Sequence, residues 1–350
     1  DFETKRIRQE QENPDLNLSN CIKRLNKFGL LSQVAETEFN TISLLYKRTQ
    51  KAKHVVAKQI KTITPQQGSG KNSPNLSNKD EIAENYAAQK SLIREIETYA
   101  RVKHPAIIPL IGFDLFAVDH IRKPVLFLKA MEKGNLFDLI GCQKISQLLK
   151  MKIIYSMISV LSHLHQQKIV HCDLTPNDVL FDENFRPYIG DFNCSIQYGE
   201  KEIIRLHDPD YKAPELLTES ELVVTDKIDI YSFAAVSYFT ITGKPPSSNG
   251  VIKFERYESG NDNNEGNDNT TTQCNPKLAD IIEKCASRDP NERPSAQEVL
   301  TRLQEPPNWL QGVDSEQFLI YIDELKPVPR LPLMPSQHRH SPRANARVES

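Results

Sequence analysis

His171-Cys172-Asp173-Leu174-Thr175-Pro176-Asn177-Asp178-Val179-Leu180 is the stretch on which the fold turns. It sets a histidine, an asparagine and two aspartates beside short apolar runs, and residues 169–189 as a whole mix such runs with loop formers. Immediately upstream, Lys150 to Gln166 places Ile154, Met157, Ile158, Leu161 and Leu164 on one face, which predicts a helix. Before that, Val125 to Ala130 reads as a buried strand running into the turn Glu132-Lys133-Gly134-Asn135. Further back, Ile93, Ile96, Tyr99 and Val102 recur at spacing three, a helix stopped near His104-Pro105 because proline cannot continue it. His54-Val55-Val56-Ala57-Lys58-Gln59-Ile60 reads as a strand. Downstream, Asp226 to Thr242 is apolar enough for a buried helix, and Leu278–Cys285 and Ala296–Leu303 predict two short closing helices.

Strands come first and helices later, which predicts an α+β chain with a small β-rich lobe and a larger helical one. The 350 residues suffice for such a two-lobed domain. Lys+Arg 44 against Asp+Glu 46 gives a net charge of -2, so bulk electrostatics calls for no nucleic-acid or membrane partner. No apolar run is long enough to span a bilayer and no signal peptide opens the chain, so an intracellular, cytoplasmic location is expected. The six cysteines contain no Cys-x-x-Cys pair, which argues against zinc and fits a reducing compartment.

The decisive stretch resembles the catalytic loop of eukaryotic protein kinases, His-Arg-Asp-Leu-x-x-x-Asn. Further motifs follow in the family's order. Gly190-Asp191-Phe192-Asn193 resembles the Asp-Phe-Gly metal motif, and Tyr211-Lys212-Ala213-Pro214-Glu215 resembles the Ala-Pro-Glu anchor. Asp229-Ile230-Tyr231-Ser232-Phe233 and Arg288-Asp289-Pro290-Asn291-Glu292-Arg293-Pro294 match late-lobe signatures. The resemblance covers about Leu31 to Leu303 and is strongest to serine/threonine kinases of the tyrosine-kinase-like group. It implies an N-lobe at 31–131 with a flexible insert at 62–80, and a C-lobe at 132–304 with a disordered Asn/Asp-rich insert at 259–272. A lead-in at 1–30, a C-terminal extension at 305–325 and a disordered Pro/Arg tail at 326–350 complete the expected layout.

By the same resemblance, Lys58 neutralises the α- and β-phosphates of ATP and is held by Glu95, while Asp173 accepts or orients the proton of the acceptor hydroxyl. Asp191 and Asp178 are the implied Mg2+ ligands. Leu45, Val56 and Leu180 would enclose adenine, with Leu128 as gatekeeper and Lys129 to Met131 as the hinge. His171, Phe192, Tyr99 and Leu110 would stack to tie the glutamate-bearing helix to the large lobe, and Glu215 would pair with a buried Arg293.

The departures are as specific. Counted back from Leu45-Tyr46-Lys47, the glycine positions of the phosphate-covering loop hold Glu38, Asn40 and Ser43, which obstruct close backbone approach. Cys172 stands for an arginine, Thr175 for a phosphate-steadying lysine, Asp208 for a threonine, Asp178 for the second metal-ligating asparagine and Asn193 for a glycine. Added carboxylates and a lost lysine oppose a polyanionic nucleotide. Two readings follow. One is a serine/threonine kinase of weak activity acting on a protein substrate in signalling. The other is a pseudokinase that scaffolds or allosterically regulates a signalling partner.

Overall fold

The computed structural model describes residues 28–36, 40–47, 50–60, 78–118, 121–202, 208–217, 222–246, 252–254 and 274–326. Glu38, the insert ahead of residue 78, the Asn/Asp tract and the tail from residue 327 lie outside the described residues.

Alternation of side chains builds the small lobe. In β3 (Gln50–Ile60) and β5 (Ile121–Lys129), Val55, Ala57, Val125 and Phe127 join Leu45 in one buried cluster. Ile60, Leu126 and Leu128, out of phase by one residue, join the main core on the other face. With β1 (Phe28–Glu36), β2 (Asn40–Lys47) and β4 (Leu110–Val118) they form a sheet in the order β1-β2-β3-β5-β4, antiparallel throughout. β1 starts inside the expected lead-in. Helix α1 (Asn78–Arg101) takes in the last three residues of the expected insert. Its buried face runs through Leu92, Glu95, Ile96 and Tyr99, so Ile93 lies at the margin of that face.

The large lobe is built around two helices that are buried on nearly every side. α2 (Leu136–Cys142) leads into α3 (Gln147–Gln166), capped by the Ser146 side chain on the Leu149 N–H. α4 (Lys227–Thr242) shows no polar face, as expected for a helix through the middle of a domain, and Gly243 ends it at φ 72° with its N–H on the Phe239 carbonyl. α5 (Pro276–Cys285) and α6 (Ala296–Arg302) pack around them, α6 opening on a reciprocal Ser295–Glu298 capping box. The expected extension carries another helix, α7 (Ser315–Glu324), whose Phe318, Tyr321 and Ile322 are buried. Phe318 meets Trp309 edge-on at 4.8 Å, the Tyr321 hydroxyl meets Ser156 of α3 at 2.6 Å, and Glu324 pairs with Arg186.

Between α3 and α4 runs the stretch from His171 to Leu180. β6 (Ile169–Val170) precedes it, and the hairpin of β7 (Val179–Phe181) with β8 (Pro187–Ile189) returns the chain so that Gly190 donates its N–H to the Asp178 carbonyl at 3.0 Å. The following segment is pinned twice, by β9 (Ile196–Gln197) on β6 and by β10 (Lys201–Glu202) on β11 (Leu222–Val223).

Candidate active site

Three elements bring one cation and two carboxylates together. Lys58 on β3 is 6% exposed, with Nζ 2.9 Å from Glu95 Oε2 on α1 and 2.7 Å from Asp191 Oδ1. Burial pulls the Lys58 pKa down, but its two carboxylate neighbours outweigh this and hold it above the ordinary lysine value. Glu95, 1% exposed, is pushed up to about 7 because burial outweighs the attraction of Lys58. Desolvation also opposes the charge on Asp191, yet Lys58 holds that carboxyl below its usual range. The Asp191 side chain keeps 41% of its surface open to the cleft.

The backbone around these groups is set by aromatic packing and by one aspartate. Phe192 stacks edge-on with Tyr99 at 4.8 Å and with His171 at 5.3 Å. Tyr99 Oη accepts the Asp191 N–H at 3.3 Å, and His171 Nε2 meets the Gly190 carbonyl at 3.2 Å. Leu110 packs at the margin of the same core. Asp229 of α4, fully buried, accepts the backbone N–H groups of His171 and Cys172, both at 2.8 Å, and meets His165 Nε2 at 2.8 Å. These bonds hold Cys172 at φ 66°, a left-handed conformation that aims the next residue, Asp173, at the cleft. An aspartate inside an otherwise apolar helix was the sequence signal for this anchor, and the sequence reading assigned it no role.

The loop residues divide their tasks. Asp178, 8% exposed, accepts the Thr175 N–H at 2.7 Å and the Thr175 hydroxyl at 2.9 Å through Oδ2. Burial, with the Asp191 charge adding to it, pushes its pKa well up despite those bonds. Asp173 is ion-paired with Lys212, and Cys194 Sγ lies 3.5 Å from Asp173 Oδ2. Lys212 is 2% exposed and also donates to the Cys172 carbonyl at 3.4 Å; burial pulls its pKa down to about 8. Nothing in the spacing of the sequence links residues 173 and 212. Arg293, 1% exposed, holds Glu215 through two bonds of 2.6 and 2.8 Å.

Not every expected site residue falls on the cleft. Val56 stands opposite Leu128 in β5, and opposite Leu44, not Leu45, in β2. Cross-strand partners share a face, so Leu44 and Val56 line the cleft side. Leu45 is 5% exposed and packs with Val55, Ala57, Val125 and Phe127 on the far side of the sheet. The assignment of Leu45 to an adenine wall is therefore corrected: without glycines to mark the turn, the count slipped by one residue, which reverses every side chain of a strand. Ser43, opposite Ala57, shares that far face, whereas Asn40, opposite Ile60, is on the cleft face beside the turn. Leu180 lies partly buried on β7 below, and Met131 beside it joins the same core. In the connecting segment Lys129 donates its N–H to the Pro109 carbonyl at 3.0 Å, while its Nζ lies 3.6 Å from Asp182. Of the hydroxyls between Asp191 and Glu215, Ser195 and Tyr211 are buried and Tyr198 is exposed.

Among the described residues no group of three or more His, Cys, Asp or Glu is placed to hold a metal by protein ligands alone. Magnesium does not require such a cage, since it commonly takes one or two carboxylates together with substrate phosphates. Asp178 and Asp191 fit that pattern: both are hard oxygen donors, and Asp178 carries the unfavourable field of Asp191, which a divalent cation would relieve. No described helix is long and apolar enough to cross a membrane.

The model of the protein kinase domain matches residues 47–303. A dual-specificity protein kinase of Dictyostelium discoideum is 29% identical over 231 residues, 63% of this chain and 16% of that protein. Human receptor-interacting serine/threonine-protein kinase 1 is 26% identical over 226 residues, 59% of this chain and 33% of that protein. A leucine-rich repeat receptor-like serine/threonine-protein kinase of Arabidopsis thaliana is 28% identical over 250 residues, 63% of this chain and 22% of that protein. The chain thus spans a third or less of the length of each of these relatives.

Proposed function

Because this chain belongs to the protein kinase family, we propose that it transfers the γ-phosphoryl group of ATP to serine or threonine hydroxyls of a protein substrate. The observation that carries this reading is the assembled triad of Lys58, Glu95 and Asp191, with Lys58 2.9 Å from Glu95 and 2.7 Å from Asp191. Such a triad needs the α1 helix docked inward, and the Tyr99–Phe192–His171 stack holds it there.

On this reading Val56, Leu44 and Leu180 sandwich the adenine, Leu128 limits its depth, and the backbone of residues 129–131 meets its edge. Lys58 neutralises the α- and β-phosphates, exchanging part of its contact with Asp191 for phosphate oxygens. Asp191 and Asp178 would hold Mg2+, which supplies charge neutralisation on the phosphates when bound. The acceptor hydroxyl oxygen forms a bond to the γ-phosphorus as the bond from that phosphorus to the β–γ bridging oxygen breaks. The electron pair leaves with ADP, and the hydroxyl proton passes to Asp173. Little covalent work falls to the protein beyond positioning and charge.

One observation favours the second reading, a kinase-fold binding module. Asp178 is already engaged by two hydrogen bonds from Thr175, at 2.7 and 2.9 Å, and its charge is disfavoured. A site that ejects its second carboxylate from metal duty would bind partners without transferring phosphate. Thermal shift with ATP, with and without magnesium, on wild type and Lys58→Met separates the two at the binding step. Phosphate incorporation by wild type against Asp173→Asn separates them at the chemical step. A magnesium-dependent shift lost in Lys58→Met, with labelling lost in Asp173→Asn, is the expected result. Equal labelling by both proteins overturns the kinase reading.

A further inference from the structure

Lys212 occupies an unusual place for an ammonium group. It lies between Tyr211 and Ala213, 2% exposed, in a turn fastened by the Glu215–Arg293 pair. Its Nζ reaches the catalytic-loop segment, ion-paired with Asp173 and 3.4 Å from the Cys172 carbonyl. Other groups near Asp173 have different duties. Asp229 beneath the loop is committed to the N–H groups of His171 and Cys172, and the Thr175 hydroxyl is turned to Asp178 at 2.9 Å. Cys194 Sγ approaches the other carboxylate oxygen, Asp173 Oδ2, at 3.5 Å.

We infer that Lys212 is the positioning residue of Asp173: from the segment before α4 it supplies the fixed ammonium that sets the carboxylate's rotamer and offsets its charge. The inference rests on the proposed phosphotransfer. A buried cation paired with Oδ1 leaves Oδ2, which the Cys194 thiol approaches at 3.5 Å, as the oxygen that would exchange that weak contact for an acceptor hydroxyl. Loss of the ammonium takes a counter-charge away from a loop carboxylate, a costly change at low dielectric. Because Lys212 belongs to residues 208–217, the docking of that segment and the setting of Asp173 become one event. Displacing the segment would withdraw the ammonium and disable the base without touching Lys58 or Glu95.

The test compares wild type with Lys212→Met, Lys212→Arg and the double variant Lys212→Met/Thr175→Lys, which returns an ammonium to the same carboxylate from the catalytic loop. Each is assayed for transfer from ATP to a mixed serine/threonine peptide library. Lys212→Met should lower kcat about 100-fold while leaving KM for ATP within about threefold, the pattern of a group acting on the chemical step. Lys212→Arg and Lys212→Met/Thr175→Lys should each recover about tenfold of that loss. Because a lysine at residue 175 would also steady the phosphate, the rescue is read against Thr175→Lys alone: a merely structural Lys212 would give the same fold-gain in both backgrounds, a positioning Lys212 a larger gain in Lys212→Met. A thermal unfolding cycle of Lys212→Met, Asp173→Asn and their combination reads the pair independently of activity, and should be non-additive, the double variant melting above Lys212→Met alone. Additive melting temperatures, or a Lys212→Met enzyme at half the wild-type kcat or more, overturn the inference. If wild type binds ATP with magnesium yet labels nothing, the phosphotransfer reading falls and the positioning role with it, even where the cycle shows the ion pair. If Lys212→Met does not fold, Lys212→Arg and the Lys212→Met/Asp173→Asn combination carry the same comparison.

Discussion

Removing one partner of the Glu215–Arg293 pair should cost far more than removing both. Arg293 is 1% exposed, and its guanidinium makes bonds to Glu215 Oε1 at 2.6 Å and Oε2 at 2.8 Å, to the Lys227 carbonyl at 2.8 Å and to the Ser287 carbonyl at 2.8 Å. Its face lies 5.2 Å from the Tyr231 ring. Replacing Glu215 by leucine deletes the two charge-assisted bonds and leaves a buried cation among carbonyls and an aromatic ring. The expected cost is about 3–5 kcal/mol. At about 2.1 cal/mol/K of unfolding entropy per residue over roughly 280 residues, that is about 5–9 °C in Tm. Glu215→Leu/Arg293→Met removes the stranded charge and should recover about half or more of that loss. Urea unfolding of the single and double variants, with the m-value checked for constancy, measures the terms directly. A Glu215→Leu cost below about 1 kcal/mol would refute the reasoning, because it would place the guanidinium in contact with solvent.

His104 is pushed down to about 3 by burial and the neighbouring His163, and its Nδ1 accepts the Ala106 N–H at 3.1 Å, so the fold holds it neutral. The unfolded chain binds the proton near pH 6.5, so stability is present above that value and drains as pH falls toward 3, at up to about 1.4 kcal/mol per pH unit. Comparing urea midpoints at pH 7 and pH 5 should show a smaller loss in His104→Gln than in wild type. A Cβ at residue 190 would sit 2.4 Å from Ile108 Cδ1 and 2.9 Å from Tyr99 Oη, so Gly190→Ala should cost about 1–3 kcal/mol and disturb the Tyr99–Phe192 stack. A chemical-denaturation series on Gly190→Ala and the relieving pair Gly190→Ala/Ile108→Val checks this, and the pair should be the more stable. Phe318, 0% exposed against Trp309 and Tyr155, should cost about 3–5 kcal/mol when cut to alanine, as read from the urea midpoint.

How far the molecule could be read from its residues depended on the range of the interaction involved. Local pattern was enough for α3 and α4, whose apolar residues are continuous, and for β5, whose two faces are both buried. The Lys58–Glu95–Asp191 cluster was reachable because each member sits in a motif of its own. The register of β2 was not, since its phase is normally marked by glycines, and Glu38, Asn40 and Ser43 offer no such mark. Leu45 and Leu44 are chemically identical neighbours, and only pairing with Val55 and Val56 decides which faces the cleft. Lys212 was invisible for another reason: its partner is brought to it by the tertiary path of the chain through β9 and β10. Phe318, Tyr321, Ile322 and Leu325 recur at helical spacing, so the helix of the extension was legible and went unassigned.

That last helix has a bearing on where the cooperative unit stops. The family match ends at residue 303, yet Trp309, Leu310, Phe318, Tyr321, Ile322 and Leu325 beyond it belong to the same core as α3. Hydrogen exchange should register this as slow amides in α3 that become fast when α7 is removed, because α7 shields one side of it. The lever has a second arm. Glu324 grips Arg186, and that arginine's amide is tied to Asp182 at 3.1 Å, in the tight turn leading back to Gly190 and Asp191. A force or a ligand acting on α7 would therefore be felt as a change of tension in the strand that leads to Asp191.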